Sequence, residues 1–298
     1  MVKTVVTIVG SSPDAALENR AAQAVKETGV EDLTVETLRP GYAVDILVRA
    51  ESSARMDVIR EKLAVLTTLG PFDIFVQPND EFRKKKLLIT DMDATIIVQE
   101  TLDELAAQAG LKDKIAPITQ QAMRGEIDFQ EALRLRVRLL KGLPVAALAE
   151  TLRQVEYSSG AATLVKTMSR RGAQCVLVSG GFDFFTAAVA ATLGFHKNFG
   201  NRLVVQDDRL TGEVVTPVLD KRAKERLVVE QARGFPCDLK HVVAVGDGAN
   251  DIPMLQKAGV GVGYFGKPAV VAATPHQIRH TDLSAVLYMQ GYRHSDFQ

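Results

Sequence analysis

The chain has no tryptophan, two cysteines and five histidines among 298 residues. Cys175 lies in an apolar run and Cys237 follows a proline; two lone thiols cannot build a zinc site or a disulfide scaffold. The expected setting is a reducing cytoplasm. His196, His241, His276, His280 and His294 are scattered and form no ligand set. An excess of charge is missing as well, since 36 Lys plus Arg face 36 Asp plus Glu. That excludes bulk attraction to nucleic acid or to an anionic membrane, so any anion site must be local. The one dense basic run, Arg83 to Lys86, is too short to argue for a polyanion. No stretch approaches the roughly 20 apolar residues of a membrane span. The apolar part of the N-terminal MVKTVVTIVGSSPDAA is too short for a secretion signal.

What is present is 46% hydrophobic and 24% charged, the balance of a soluble globular protein. The length suits two domains of ordinary size. Residues 3–10 are β-branched and read as a strand, and residues 14–28 show helical spacing up to Gly29. Strands follow at 32–38 and 42–49 around Pro40-Gly41, then a helix at 53–67 and a strand at 71–76. That βαββαβ order predicts a small α+β ferredoxin-like domain over 1–80. The second domain is expected over 84–298, where strands and helices alternate as in a doubly wound parallel sheet. Its strands are expected at 87–89, 174–178, 242–245 and a last one at 260–262. Between them lie an all-helical insertion at about 101–156, a helix at 161–171, a hairpin over 201–215 around Asp207-Asp208, and a helix at 221–233.

Three apolar runs of the second domain end in polar clusters: Thr90-Asp91-Met92-Asp93-Ala94-Thr95, Ser179-Gly180-Gly181, and Gly246-Asp247-Gly248-Ala249-Asn250-Asp251. Ligands of a doubly wound sheet bind at the carboxyl ends of its strands, so the clusters converge in one crevice. Carboxylates gathered there repel one another and raise their own pKa values. A hard dication relieves that, and oxygen ligands suit Mg²⁺. The glycines after Ser179 let backbone N–H groups approach an anion, and Lys224 places a compact cation beside it. Acid, metal, hydroxyl, amides and lysine are the parts of phosphoryl transfer. Each residue alone has a blander reading. Asp91 fits a strand-end cap, Ser179 a helix N-cap, Asp251 a cap for the helix after it, and Lys224 stands among Lys221, Arg222 and Arg226.

Asp91-Met92-Asp93-Ala94-Thr95 fits D-x-D-x-T, the first motif of the haloacid-dehalogenase-like phosphatases; Ser179, Lys224 and Gly246 to Asp251 fit the later three. The chain resembles most the phosphoserine phosphatase family within them, over about residues 84–285. Supporting stretches are Glu100 with ThrLeuAspGluLeuAla after it, residues 126–144, and ValSerGlyGlyPhe at 178–182. Residues 1–80 resemble the ACT-like regulatory domain of longer members. The resemblance implies a Rossmann-like core with a helical cap, hydrolysing O-phosphoserine in the last step of serine biosynthesis. It implies Asp91 as nucleophile and Asp93 as acid and base. Mg²⁺ would be held by Asp91, the Asp93 backbone carbonyl and Asp247, with Asp251 in support. Ser179, Gly180, Lys224 and Asn250 would bind the phosphate side of the substrate. Glu100 and Arg136 would take its ammonium and carboxylate, and Met123 and Phe129 would close over it. The chain departs at Ala94, where the family usually has serine; the lost hydroxyl is expected to lower the rate modestly.

The partners expected are the small-molecule substrate, free serine or another amino acid at residues 1–80, and a second copy of the chain, with no nucleic acid or membrane. Rival readings are another small phosphomonoester, transfer to an acceptor such as homoserine, or an amino-acid sensor in which Asp91 is a phosphorylated switch. Asp93 separates the last of these, because a switch without turnover needs no second carboxylate.

Overall fold

The computed structural model describes all residues except 1, 31, 51–52, 65–69, 124–125 and 236. The first unit runs β1 (Val2–Gly10), α1 (Leu17–Glu27), β2 (Leu33–Arg39), β3 (Ala43–Ala50), α2 (Ser53–Ala64) and β4 (Phe72–Pro78). Its strands pair antiparallel in the order β2-β3-β1-β4. Alternation along β1 decides the two faces. Val6 and Ile8 join Leu17, Val25, Ile46 and Ile59 in a core under the helices. Val9, with Ala43 and Phe75 of the neighbouring strands, turns instead into the large core of the rest of the molecule. Helix α1 starts three residues later than its periodicity predicts, because Asp14 accepts the Ala16 N–H at 2.9 Å and holds a turn there. Residues 65–67 of the expected second helix lie outside the described residues.

The second unit is built on six parallel strands. These are β5 (Leu87–Thr90), β6 (Gln174–Phe182), β7 (Lys197–Asn201), β10 (Val242–Gly246), β11 (Val260–Tyr264) and β12 (His276–Ile278). Their order is β12-β11-β10-β5-β6-β7. The chain winds one way from β5 and the other way from β10, so the order reverses between these two central strands. Strand β5 is buried throughout, as is β10, which explains their unbroken apolar runs. Two strands are not legible in the sequence. β7 lies just before the hairpin β8 (Leu203–Gln206) and β9 (Arg209–Val214), and β12 follows the strand expected to be last. Both are short edge strands with weak apolar patterning, so the sheet rather than the local sequence makes them.

Helices α3 (Thr101–Gln108), α4 (Lys112–Met123), α5 (Phe129–Leu139) and α6 (Ala146–Arg153) occupy the stretch between β5 and α7 (Ala161–Arg170). Asp128 caps α5 by accepting the Glu131 N–H at 2.8 Å. Helix α8 (Asp183–Leu193) follows β6, α9 (Lys221–Gly234) precedes β10, and α10 (Ile252–Lys257) follows it. The short helices α11 (Pro268–Ala273) and α12 (Ala285–Met289) complete the chain. Among the described residues no helix is long and apolar enough to cross a membrane.

The outer face of the antiparallel sheet is fastened to the second unit by buried polar groups. The Asp73 carboxylate accepts the N–H groups of Arg279, His280 and Thr281 at 2.8, 3.2 and 2.9 Å. Arg83 donates to Asp45 at 2.6 Å and to the Met289 carbonyl at 3.1 Å, and Gln77 donates to that carbonyl at 2.6 Å. The Phe75 ring stacks on His276 with centroids 6.2 Å apart.

Candidate active site

The reversal of strand order opens a crevice at the carboxyl ends of β5 and β10, and the acidic residues follow those two ends directly. The Asp91 N–H donates to the Val245 carbonyl at 2.9 Å, which ties the first acidic segment to β10. From the first turn of α9, Lys224 reaches in and donates to Asp91 Oδ1 at 2.7 Å and Asp251 Oδ1 at 2.6 Å. Asp220 starts that helix, accepting the N–H groups of Arg222 and Ala223 at 2.9 Å each. Lys224 is 1% exposed and Asp251 0%. Lys224 is therefore no solvated charge, and Asp251, although it stands at the N-cap position of α10, makes no cap hydrogen bond with its side chain and directs it to Lys224.

Asp93 points elsewhere. Its Oδ1 accepts the N–H and hydroxyl of Thr101 at 2.8 and 2.7 Å, and its Oδ2 accepts the Ser179 hydroxyl at 2.7 Å. Ser179 Oγ in turn accepts the Gly181 N–H at 2.8 Å. Strand β6 runs on to Phe182, so the expected glycine segment lies in extended chain and α8 begins only at Asp183. Glycine is required here by close approach. A Cβ at Gly181 would stand 3.0 Å from Asp93 Oδ2, and one at Gly246 would stand 2.6 Å from Asp251 Cγ.

The carboxylate oxygens of Asp91, Asp247 and Asp251 lie within 4.8 Å of one another, all three residues buried. Burial pushes the Asp91 carboxyl well up; the charge of Asp251 adds to this and Lys224 opposes it. Burial also raises Asp247, against the pull of Lys267. Burial disfavours the Lys224 ammonium, but Asp251 and Asp91 together hold its pKa above the ordinary value. Three buried carboxylates with one shared lysine leave a surplus of negative charge, and oxygen donors at this spacing suit a hard dication. Asp251, expected only in support, brings its carboxylate into this cluster. The Asp93 carboxylate stands outside it, engaged by Thr101 and Ser179, and the ligand atom expected from Asp93 is its backbone carbonyl.

The substrate-side residues are less tightly held. Glu100 sits at the N-terminal cap of α3, half exposed; desolvation, then the charge of Asp93, pushes its carboxyl up to about 7. Arg136, on α5, donates to its own helix at the Ala132 carbonyl at 3.3 Å. Burial lowers its pKa, against the charges of Asp103 and Glu100. Phe129 packs over the glycine segment, its Cζ 3.1 Å from where a Cβ at Gly180 would be. The Gly180 carbonyl accepts Asn201 Nδ2 at 2.8 Å, and Asn250 donates to Asp251 at 3.4 Å. The Met123 side chain lies outside the described residues. Ala94 takes φ +51°, the left-handed region, and its N–H donates to the Gln99 carbonyl at 3.2 Å.

Two residues of the crevice went unread in the sequence. Thr101 follows Glu100 directly and holds Asp93 by two bonds. Lys267, in the turn after β11, lies 2.9 Å from Asp247 Oδ2 and 3.7 Å from Glu100 Oε1. The strand-end rule applied once more, to β11, points to it.

Residues 88–256 match the model of the haloacid dehalogenase-like hydrolases. The chain belongs to that family. The relatives described next share one activity in their names. The phosphoserine phosphatase of Lactococcus lactis subsp. lactis is 43% identical over 203 residues, 68% of this chain and 94% of that protein. That of Archaeoglobus fulgidus is 41% identical over 227 residues, 76% of this chain and 64% of that longer protein. A solved phosphoserine phosphatase holding an analogue of a phospho-aspartyl intermediate superposes with a TM-score of 0.64 at 38% identity. It covers 68% of this chain and 98% of that one.

Proposed function

We propose that the chain is a Mg²⁺-dependent phosphoserine phosphatase working through an aspartyl-phosphate. The observation that carries this is the division of labour between the two aspartates of one turn. Asp91 is paired with a buried lysine beside two further carboxylates, while Asp93 is held apart by Thr101 and Ser179. A phosphorylated switch has no use for the second carboxylate; a hydrolase does.

An Asp91 carboxylate oxygen attacks phosphorus as the bond to the serine oxygen breaks, and Asp93 gives the departing oxygen its proton. Asp93 then takes a proton from water, which attacks phosphorus and frees Asp91 and phosphate. Asp91, Asp247 and the Asp93 carbonyl would hold Mg²⁺, with Asp251 beside them, and the ion would neutralise phosphate charge. Ser179, the Gly180 N–H, Lys224 and Asn250 are assigned to the phosphate side. Glu100 takes the substrate ammonium, and Arg136 turns its fork to the carboxylate. Phe129, and Met123 with it, close over the substrate and exclude water. Residues 84–298 are the catalytic domain with a cap at about 101–156. Residues 1–80 are an ACT-like domain for regulation by serine or another amino acid, or for pairing two subunits. The setting is the cytoplasm and the pathway is serine biosynthesis.

The test is phosphate release from a panel of phosphorylated metabolites, with and without Mg²⁺. Phosphoserine is expected to be the preferred substrate, and chelation to stop the reaction until Mg²⁺ is restored. Asp91→Asn is expected to lower turnover at least about 10³-fold with the fold intact. Appreciable residual turnover contradicts the covalent route.

A further inference from the structure

We propose that Lys267 is a positioning residue that sets the charge balance of the crevice, weakening its hold on a divalent cation while strengthening its hold on an anionic substrate. The proposal rests on the phosphatase reading above and concerns a residue to which that reading gives no part.

Lys267 is fixed at both ends of its chemistry. Its N–H donates to the Asp247 carbonyl at 2.9 Å, and its ammonium lies 2.9 Å from Asp247 Oδ2. The same ammonium lies 3.7 Å from Glu100 Oε1, at the cap of α3. It therefore joins the end of β10 to the first helix of the cap. A surface lysine in an ion pair contributes little to stability, and the Lys267 side chain is 55% exposed. Its partner is what sets it apart. The Asp247 side chain is 7% exposed and belongs to the cluster of three carboxylates.

The signs of the charges give the consequence. Asp91, Asp93, Asp247, Asp251 and Glu100 bring carboxylates to the crevice, against the ammonium groups of Lys224 and Lys267. Lys224 is committed at the buried end, between Asp91 and Asp251. Lys267 is the exposed one of the two lysines, its side chain 55% accessible against 1% for Lys224. A dication on Asp247 has that ammonium as a like-charged neighbour; a phosphate dianion arriving beside it has the opposite. Removing the charge must move the two affinities in opposite directions. A role in packing alone moves both the same way, or neither. The backbone bond to Asp247 does not depend on the side chain, so neutral variants keep the loop anchored.

The experiment uses the full chain with Lys267→Met and, separately, Lys267→Gln, each checked for folding by circular dichroism. Mg²⁺ is titrated by calorimetry without substrate, and inorganic phosphate is measured as a product inhibitor. In both variants the Mg²⁺ dissociation constant is expected to fall about fivefold and the phosphate inhibition constant to rise about fivefold. Mg²⁺ binding that is unchanged or weaker in both variants overturns the proposal. A parent chain that binds Mg²⁺ but leaves phosphoserine untouched overturns the phosphatase reading instead, and the calorimetric comparison still decides the role of Lys267.

Discussion

A lysine withdrawn almost wholly from water is a costly group, and Lys224 is kept charged by the two carboxylates that share it. Taking the ammonium away leaves Asp91 and Asp251 buried and facing each other. Lys224→Met is expected to cost about 3 kcal/mol or more of stability in metal-free protein. Mg²⁺ should return more stability to the variant than it adds to the parent, because it relieves the same repulsion. Thermal melts of both proteins across a Mg²⁺ series measure this; equal gains in the two would separate Lys224 from the acidic cluster. In the sequence Lys224 is picked out by its fit to the third motif, whereas local chemistry alone leaves Lys221, Arg222 and Arg226 as its rivals. All four lie in the first two turns of one helix, and only the direction of each side chain settles which enters the crevice.

Among the elements, the strands that carry chemistry were the easiest to read. β5 and β10 are buried on both faces and so are continuously apolar, and each stops where the polar cluster starts. The edge strands β7 and β12 have no such signature. Helix α5 is amphipathic, with Ala132, Leu133 and Val137 buried and Arg134 and Arg138 flanking Arg136. Arg136 is half-buried near the charges of Asp103 and Glu100, whereas Arg134 and Arg138 are exposed. Arg136→Ala is expected to raise the KM for phosphoserine at least about tenfold, and that for a phosphate ester without a carboxylate far less. Matching effects on the two substrates would remove Arg136 from recognition.

Across the whole molecule, the two sheets are joined by contacts between residues far apart in sequence. Asp73 and Thr281 are 208 positions apart, and Gln77 and Met289 212. His276 lies in this junction, stacked on Phe75, with no hydrogen-bond partner for its Nδ1 among the described residues. Burial, then the charges of Arg60 and Lys85, pushes its pKa down to about 3. The unfolded chain takes up that proton near the ordinary pKa of about 6.5, so His276 draws stability away as pH falls from there toward 3. Glu100, raised to about 7, acts in the opposite sense over the upper part of the range. The contribution of His276 is therefore read as a difference. Denaturant titrations of the parent and His276→Phe should show the parent losing more stability than the variant between pH 7 and about 5. Parallel curves would mean that the imidazole titrates alike in both states.

The sequence by itself determined the order of the elements except the edge strands β7 and β12, the two kinds of sheet and the residue types at the ends of β5, β6 and β10, because periodicity and strand-end chemistry are local properties. Tertiary structure alone decided that Asp251 joins the acidic cluster, that Thr101 holds Asp93, that Lys267 meets Asp247 and Glu100, and that Asp73 and Arg83 fasten the first sheet to the second. Each of those is a choice among several polar side chains of equal local merit. Burial makes the choice, since a charged group withdrawn from water is stable only where a partner from a distant part of the chain meets it.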